Sequence, residues 1–149
     1  MLKSIIRLIL SIILSIILTI FTLALETFLI KDNFQIVLFQ EILKLIPIFL
    51  ATKFLGCLIF SLISGLIFGS VEGVIRQSLY GTYFPLTLLM HMLTSLILGI
   101  LGVYPLKRTR SPIFLFFLPL ALFITVIIHY YYIIYSNLIY AVLSPIFLR

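Results

Sequence analysis

Acidic residues are nearly missing from this chain, with four in 149, and all charged residues together make up 9%. That scarcity excludes a soluble domain, because 64% hydrophobic residues and a mean hydropathy of +1.38 leave more apolar surface than a water-facing fold can hide. Cysteine occurs once, at Cys57, which excludes an internal disulfide. Cys57 lies in the apolar run Gly56–Phe60 and reads as a small buried hydrophobe. No Cys/His cluster has zinc-finger spacing, and no HExxH pair of ligands shares a helical turn. Gly/Ser linkers, low-complexity tails and internal repeats are absent too, so one membrane domain over residues 1–149 is expected.

What is present is a succession of long apolar runs. The expectation is an all-α, polytopic transmembrane bundle of about five spans. A first helix over residues 4–25 carries the run Leu8–Ala24 behind Lys3 and Arg7, and it reads as a retained signal anchor. Glu26, Lys31, Asp32 and Asn33 make the first loop. Core helices are expected over 34–52, 54–79, 86–104 and 113–135, with a turn at Gly81–Pro85 and a basic loop at Pro105–Pro112. Asn137 and Pro145 mark a last helix that leaves the hydrocarbon near Tyr135, and a short sixth span is the alternative.

The net charge of +6 follows from topology and not from a nucleic-acid partner. Lys3, Arg7, Lys53, Lys107, Arg108 and Arg110 fall on one side, and only Lys31 and Arg149 on the other. The excess of basic residues puts the N-terminus in the cytoplasm of a multi-pass cell-membrane protein. Tyr130, Tyr131, Tyr132 and Tyr135 fit the outer aromatic belt.

Against that background four ionisable residues stand out inside the apolar runs: Glu41, Glu72, His91 and His129. Each costs at least ~2.5–3.5 kcal/mol to place in hydrocarbon, so each is expected to face the bundle interior. Counted from the expected helix ends, all four lie roughly 9–12 Å below the outer boundary at a rise of ~1.5 Å per residue. They can therefore meet in one polar pocket. Glu41 and Lys44 share a face at i, i+3, and Glu72 and Arg76 at i, i+4, so each carboxylate has a partner on its own helix. Structural ion pairing explains these pairs as readily as function does. A lone membrane histidine is equally a hydrogen-bonding group between helices. Arg76 is placed to reach the outer interface. Gly65, Gly69, Ser70 and Gly73 around Glu72 allow another helix to come close.

Two carboxylates beside two imidazoles point to hydrolysis. A glutamate near a histidine can take a proton from water, and a second histidine can donate to an oxyanion. No cofactor is predicted, although the Glu and His side chains could also hold zinc. A proton-linked transporter or channel is an alternative, opposed by the absence of an inverted repeat. An inactive membrane scaffold is another.

Four segments in order resemble the PrsW family of intramembrane proteases. Gln40-Glu41-Ile42-Leu43-Lys44-Leu45-Ile46-Pro47 resembles its Glu-Glu-x-x-Lys helix. Gly65-Leu66-Ile67-Phe68-Gly69-Ser70-Val71-Glu72 resembles the next, His91-Met92-Leu93-Thr94-Ser95 the histidine-bearing helix, and Ile127-Ile128-His129 the last. Glu72-Gly73-Val74-Ile75-Arg76 is also similar to half of the Glu-Glu-x-x-x-Arg motif of the related CPBP (Rce1-like) proteases. The resemblance implies an intramembrane endopeptidase with Glu41, Glu72, His91 and His129 as catalytic residues. Lys44 and Arg76 would support them, and membrane proteins or peptides would be the substrates. The chain departs from the pattern at Gln40, Val71 and Ile133, where the families carry Glu, Glu and often Asn.

Overall fold

The computed structural model describes residues 2–28, 32–51, 53–80, 84–108 and 115–147. Lys31, Thr52, residues 81–83 of the expected turn, residues 109–114 of the expected basic loop with Arg110 and Pro112, and Arg149 lie outside the described residues. The regular structure among them is helical: α1 (Leu2–Phe28), α2 (Asn33–Ile48), α3 (Phe54–Tyr80), α4 (Phe84–Ile97), a π-helical segment (Leu98–Val103), α5 (Tyr104–Arg108) and α6 (Phe117–Phe147). The chain is an all-α bundle. Leu2–Glu26, Phe54–Ser78, Pro85–Arg108 and Phe117–Ser136 are each long and apolar enough to cross a membrane. The 16 residues of α2 reach only ~24 Å, short of the ~30 Å hydrocarbon. It packs against α1, α3, α4 and α6.

The helix boundaries differ from the sequence-based expectation in instructive ways. Glu26 belongs to the last turn of α1 and not to a loop. Asp32 is the N-cap of α2, its carboxylate accepting the Phe34 N–H at 2.8 Å. The α2 helix stops at Ile48 and not Thr52, its last turn tightening into i→i+3 bonds from Leu50 N–H to Pro47 O and from Ala51 N–H to Ile48 O. Lys107 closes that end by donating to the Phe49 and Ala51 carbonyls. Pro105 does not open the basic loop. The π segment widens the turn before it, with Tyr104 N–H reaching back to Gly99 O, and the helix runs on to Arg108. At the far end α6 stays helical to Phe147, beyond Tyr135.

Polarity is distributed as a membrane bundle requires. Ile6, Ile13, Ile17 and Ile20 of α1 face outward. Ser11, Ser15, Thr19 and Thr22 form its buried face, small enough to let α2 and α3 approach. Helices α3 and α4 approach closely. A Cβ at Gly65 would lie 2.7 Å from His91 O and Met92 Cα, and one at Gly69 would lie 2.8 Å from Leu88 Cα. Only glycine allows that contact. Apolar clusters lie on either side of the polar layer along α2. Val37 packs with Val126 and Ile133 on one side, and Leu45 and Ile48 pack with Cys57, Phe60 and Leu98 on the other.

Candidate functional site

Helix α2 turns Gln40, Glu41 and Lys44 into the bundle, all of them buried. Spacings of one, three and four residues put them on one stripe of a 3.6-residue helix. Lys44 Nζ donates to Glu41 Oε1 at 2.5 Å and to Thr94 Oγ1 on α4 at 3.0 Å. Its ammonium also lies 5.8 Å from the Phe68 ring centroid. The lysine is completely buried, and these neighbours are what make its charge tolerable there.

Glu72 of α3 is held from three directions. Arg76 Nε donates to Oε1 at 2.6 Å, while Gln40 Nε2 and His91 Nε2 approach Oε2 at 2.9 and 3.0 Å. The second arm of Arg76 reaches Glu26 of α1 at 3.2 Å. Arg76 is buried, its guanidinium bridging Glu72 to Glu26 in the last turn of α1. Beside this cluster, Thr87 and Tyr132 hydroxyls pair at 2.5 Å across α4 and α6.

The second histidine joins the other carboxylate: His129 Nδ1 lies 2.7 Å from Glu41 Oε1. An ionised carboxylate only accepts, so each ring nitrogen facing one carries the proton. His91 is thereby set as the Nε2–H tautomer and His129 as the Nδ1–H tautomer, each with a lone pair on its other nitrogen. The two rings meet edge to face, centroids 4.8 Å apart and planes at 79°.

Glu41, Glu72, His91 and His129 thus converge from α2, α3, α4 and α6 into one buried cluster, as two glutamate–histidine pairs with touching rings. No known family profile, characterised protein or solved structure matches this chain. Its chemistry has to be read from the cluster itself.

The two carboxylates are not equivalent. Glu72 accepts on both oxygens. Glu41 accepts twice on Oε1 and has no partner on Oε2 among the described residues. His91 Nδ1 and His129 Nε2 are likewise buried without a partner. One donor atom from each of Glu41, His91 and His129 lies within 4.8 Å of the other two. Glu72 therefore positions His91, and the open valences belong to Glu41 and the two imidazoles.

Three contributors escaped sequence reading. In the sequence Gln40 shows only as a missing carboxylate, yet its amide joins α2 to Glu72. Thr94 accepts a hydrogen bond from Lys44 and donates its own to His91 O at 3.3 Å. Glu26 reads as a loop residue in the sequence because the polar residues Lys31 to Asn33 follow it, yet it lies in the last turn of α1. Of the family departures, Val71 is partly buried, and Ile133 fills the apolar cluster one turn beyond His129.

Proposed function

We propose that this chain is an intramembrane peptide hydrolase of PrsW-like type, cleaving membrane-anchored proteins or peptides with water activated at Glu41, His91 and His129. The observation that carries the reading is the burial of three unpaired lone-pair atoms within one glutamate–histidine cluster. These are Glu41 Oε2, His91 Nδ1 and His129 Nε2, each fixed by a hydrogen bond on its other side. Water attacking the scissile carbonyl would lose a proton to Glu41, which returns that proton to the leaving amine as the C–N bond breaks, while His129 Nδ1–H orients the carboxylate. Glu72 and Arg76 hold His91, and Lys44 holds Glu41. The lipid bilayer is the working environment, and nucleic acid has no part in it.

The orientation with a cytoplasmic N-terminus in the cell membrane is supported by the gathering of basic residues at one end. Arg7 and Lys53 line the same cavity, and Lys107 caps the α2 terminus beside it. The glutamate–histidine cluster sits toward the opposite end, which fits cleavage near the outer face.

The test is cleavage of labelled single-span substrates by detergent-purified protein. Glu41→Gln should reduce the rate by roughly 10²–10⁴-fold, the scale of lost general-base catalysis, with its helical circular dichroism intact. Equal cutting by the variant, or none by the wild type, overturns the proposal. An inactive scaffold is the second reading, favoured by one observation: Gln40 stands beside Glu72 as an amide donor where the family has a carboxylate.

A further inference from the structure

We infer that the cavity between the N-terminal ends of α1 and α3 is a site for one anionic phospholipid, with the headgroup phosphate held by Arg7 and Lys53 and an acyl chain laid along the apolar lining. The inference does not rest on the hydrolytic reading of the glutamate–histidine cluster.

Three observations carry it. The first is charge without a counter-ion. Arg7, Lys53 and the Ser4 hydroxyl supply the polar lining of a cavity of about 410 Å³. The chain has four acidic side chains in all. Each is engaged elsewhere: Glu26 and Glu72 with Arg76, Glu41 with Lys44, and Asp32 at the N-cap of α2. Arg7 and Lys53 therefore share one cavity with no acidic side chain left to pair with them. Lys107 adds a third cation alongside, donating to the Phe49 and Ala51 carbonyls on either side of Leu50, which lines the cavity. The first turns of α1 and α3 both reach the cavity, through Ser4 and Gly56, and the unpaired N–H groups of helix starts add positive potential there. A phosphate accepts from guanidinium and ammonium together and offsets their mutual repulsion.

The second observation is the apolar lining. Leu8, Leu50, Ile59 and Phe60 continue the same cavity away from the cations. Ile59 and its neighbour Leu55 are also outwardly exposed, so the cavity is a groove open toward hydrocarbon and not a closed chamber. A soluble anion would meet the cations and leave this lining uncovered. A phospholipid fills both parts, and the volume lies in the range of ordinary ligand sites.

The third is depth. Leu2–Glu26 and Phe54–Ser78 are each long and apolar enough to cross a membrane, and the cavity lies at the start of both. From Lys53 to Phe60 the chain rises ~10 Å at ~1.5 Å per residue. The headgroup layer is roughly 5–7 Å deep on each side of the bilayer, so cations at phosphate level leave Ile59 and Phe60 beside the first acyl carbons. Basic pockets between helix ends recognise anionic headgroups in this way. The same two helices are joined near their other ends by Glu26 and Arg76. Among the described residues no ion pair joins them here, and the lipid supplies that bridge.

The experiment is native mass spectrometry of the full chain in mild detergent, titrated with phosphatidylglycerol or with phosphatidylcholine of identical acyl chains. Wild type should take up one phosphatidylglycerol with about tenfold or greater preference over phosphatidylcholine, and its unfolding midpoint should rise with that lipid alone. Arg7 and Lys53 are exposed, so the double variant Arg7→Gln with Lys53→Gln should keep its helical circular dichroism while its preference falls to about threefold or less. Should the double variant not fold, Lys53→Gln alone carries the comparison, with a loss of about threefold. Arg108→Gln removes a cation that is bonded to Tyr104 and does not line the cavity, and it should keep the wild-type preference. Equal affinity of wild type for the two lipids, or an equal loss in Arg108→Gln, would reduce the effect to diffuse net charge and overturn the site. Glycerol phosphate binding as tightly as the whole lipid would make a soluble phosphate the ligand and overturn the lipid. Cleavage assays do not enter these outcomes, so the hydrolase stands or falls separately.

Discussion

The contact between α3 and α4 gives the sharpest test of how the fold places its site. Gly65→Ala introduces a Cβ 2.7 Å from His91 O and from Met92 Cα, both backbone atoms that cannot rotate away. Ordinary carbon contacts need ~3.5–4.0 Å, so α4 has to retreat by about 1 Å. Overpacking of this kind costs about 1–3 kcal/mol. The same retreat carries His91 Nε2 from 3.0 Å to about 4 Å from Glu72, beyond hydrogen-bonding range. A buried carboxylate that loses a donor costs a further ~1–3 kcal/mol. Alanine gains about 1 kcal/mol over glycine in a helix interior, which offsets part of the loss. The expected net destabilisation is about 1–5 kcal/mol.

Gly56→Ala supplies the control. Its Cβ would meet the Ala51 Cβ at 3.7 Å, an ordinary contact, so helix propensity alone decides and the change is neutral or stabilising by up to about 1 kcal/mol. Gly102→Ala falls between them, since its nearest neighbour at 3.0 Å is the flexible Leu118 Cδ1. The measurement is reversible unfolding of all three in mixed micelles, followed by far-UV circular dichroism. A Gly65→Ala midpoint indistinguishable from that of Gly56→Ala would refute the claim that glycine packing seats His91 against Glu72.

Lys44→Met leaves the fully buried Glu41 with His129 alone and should destabilise by about 3–5 kcal/mol, while the double change Glu41→Gln with Lys44→Met should recover a large part; additive losses in a double-mutant cycle would contradict the pairing. Lys107→Met removes the donor to the Phe49 and Ala51 carbonyls and should cost about 1 kcal/mol, discounted because the side chain is exposed; no change in the unfolding midpoint would remove Lys107 as the α2 cap. Cys57 is buried and should resist a maleimide in native micelles but label fully after unfolding in dodecyl sulfate; rapid native labelling would contradict the packing of Cys57 against Ile48 and Leu98.

The all-α bundle was legible because hydrocarbon leaves few alternatives: long apolar runs become helices when every backbone group must bond internally. The cluster was legible for a related reason. An ionisable residue in such a run is costly, so Glu41, Glu72, His91 and His129 advertised themselves, and the i, i+3 and i, i+4 cations beside the glutamates named their partners. Polar neutral residues carry no such signal. Gln40 and Thr94 are cheap enough to sit anywhere, so their roles appear only once α3 and α4 are in place. Helix ends were misread where tertiary contacts decide them. The Leu98–Val103 π segment depends on Gly99 packing against Ser61 and the Cys57 carbonyl, an arrangement no local pattern announces, and it is what lets the helix pass Pro105.

The same bonds that serve the site also specify the bundle. In lipid the apolar faces of Leu and Ile have no preference for each other over acyl chains, so helix register must come from close packing and polar contacts. Here Glu26, Glu41, Glu72, His91, Thr94 and His129 tie α1, α2, α3, α4 and α6 into one connected set. Sliding any member by one turn, about 5.4 Å, breaks at least one bond to a buried charge. A register lock of this kind accounts for Glu72, Arg76, Lys44 and Gln40, whose charges and amide protons are taken up. It does not account for His91 and His129. A register lock needs only one nitrogen of each ring, and a smaller amide would supply the same donor without an unused lone pair. Two imidazoles placed edge to face, each with its far nitrogen buried and unpaired, cost stability that a purely structural role gives no reason to retain. That excess is the physical argument for chemistry at Glu41, His91 and His129.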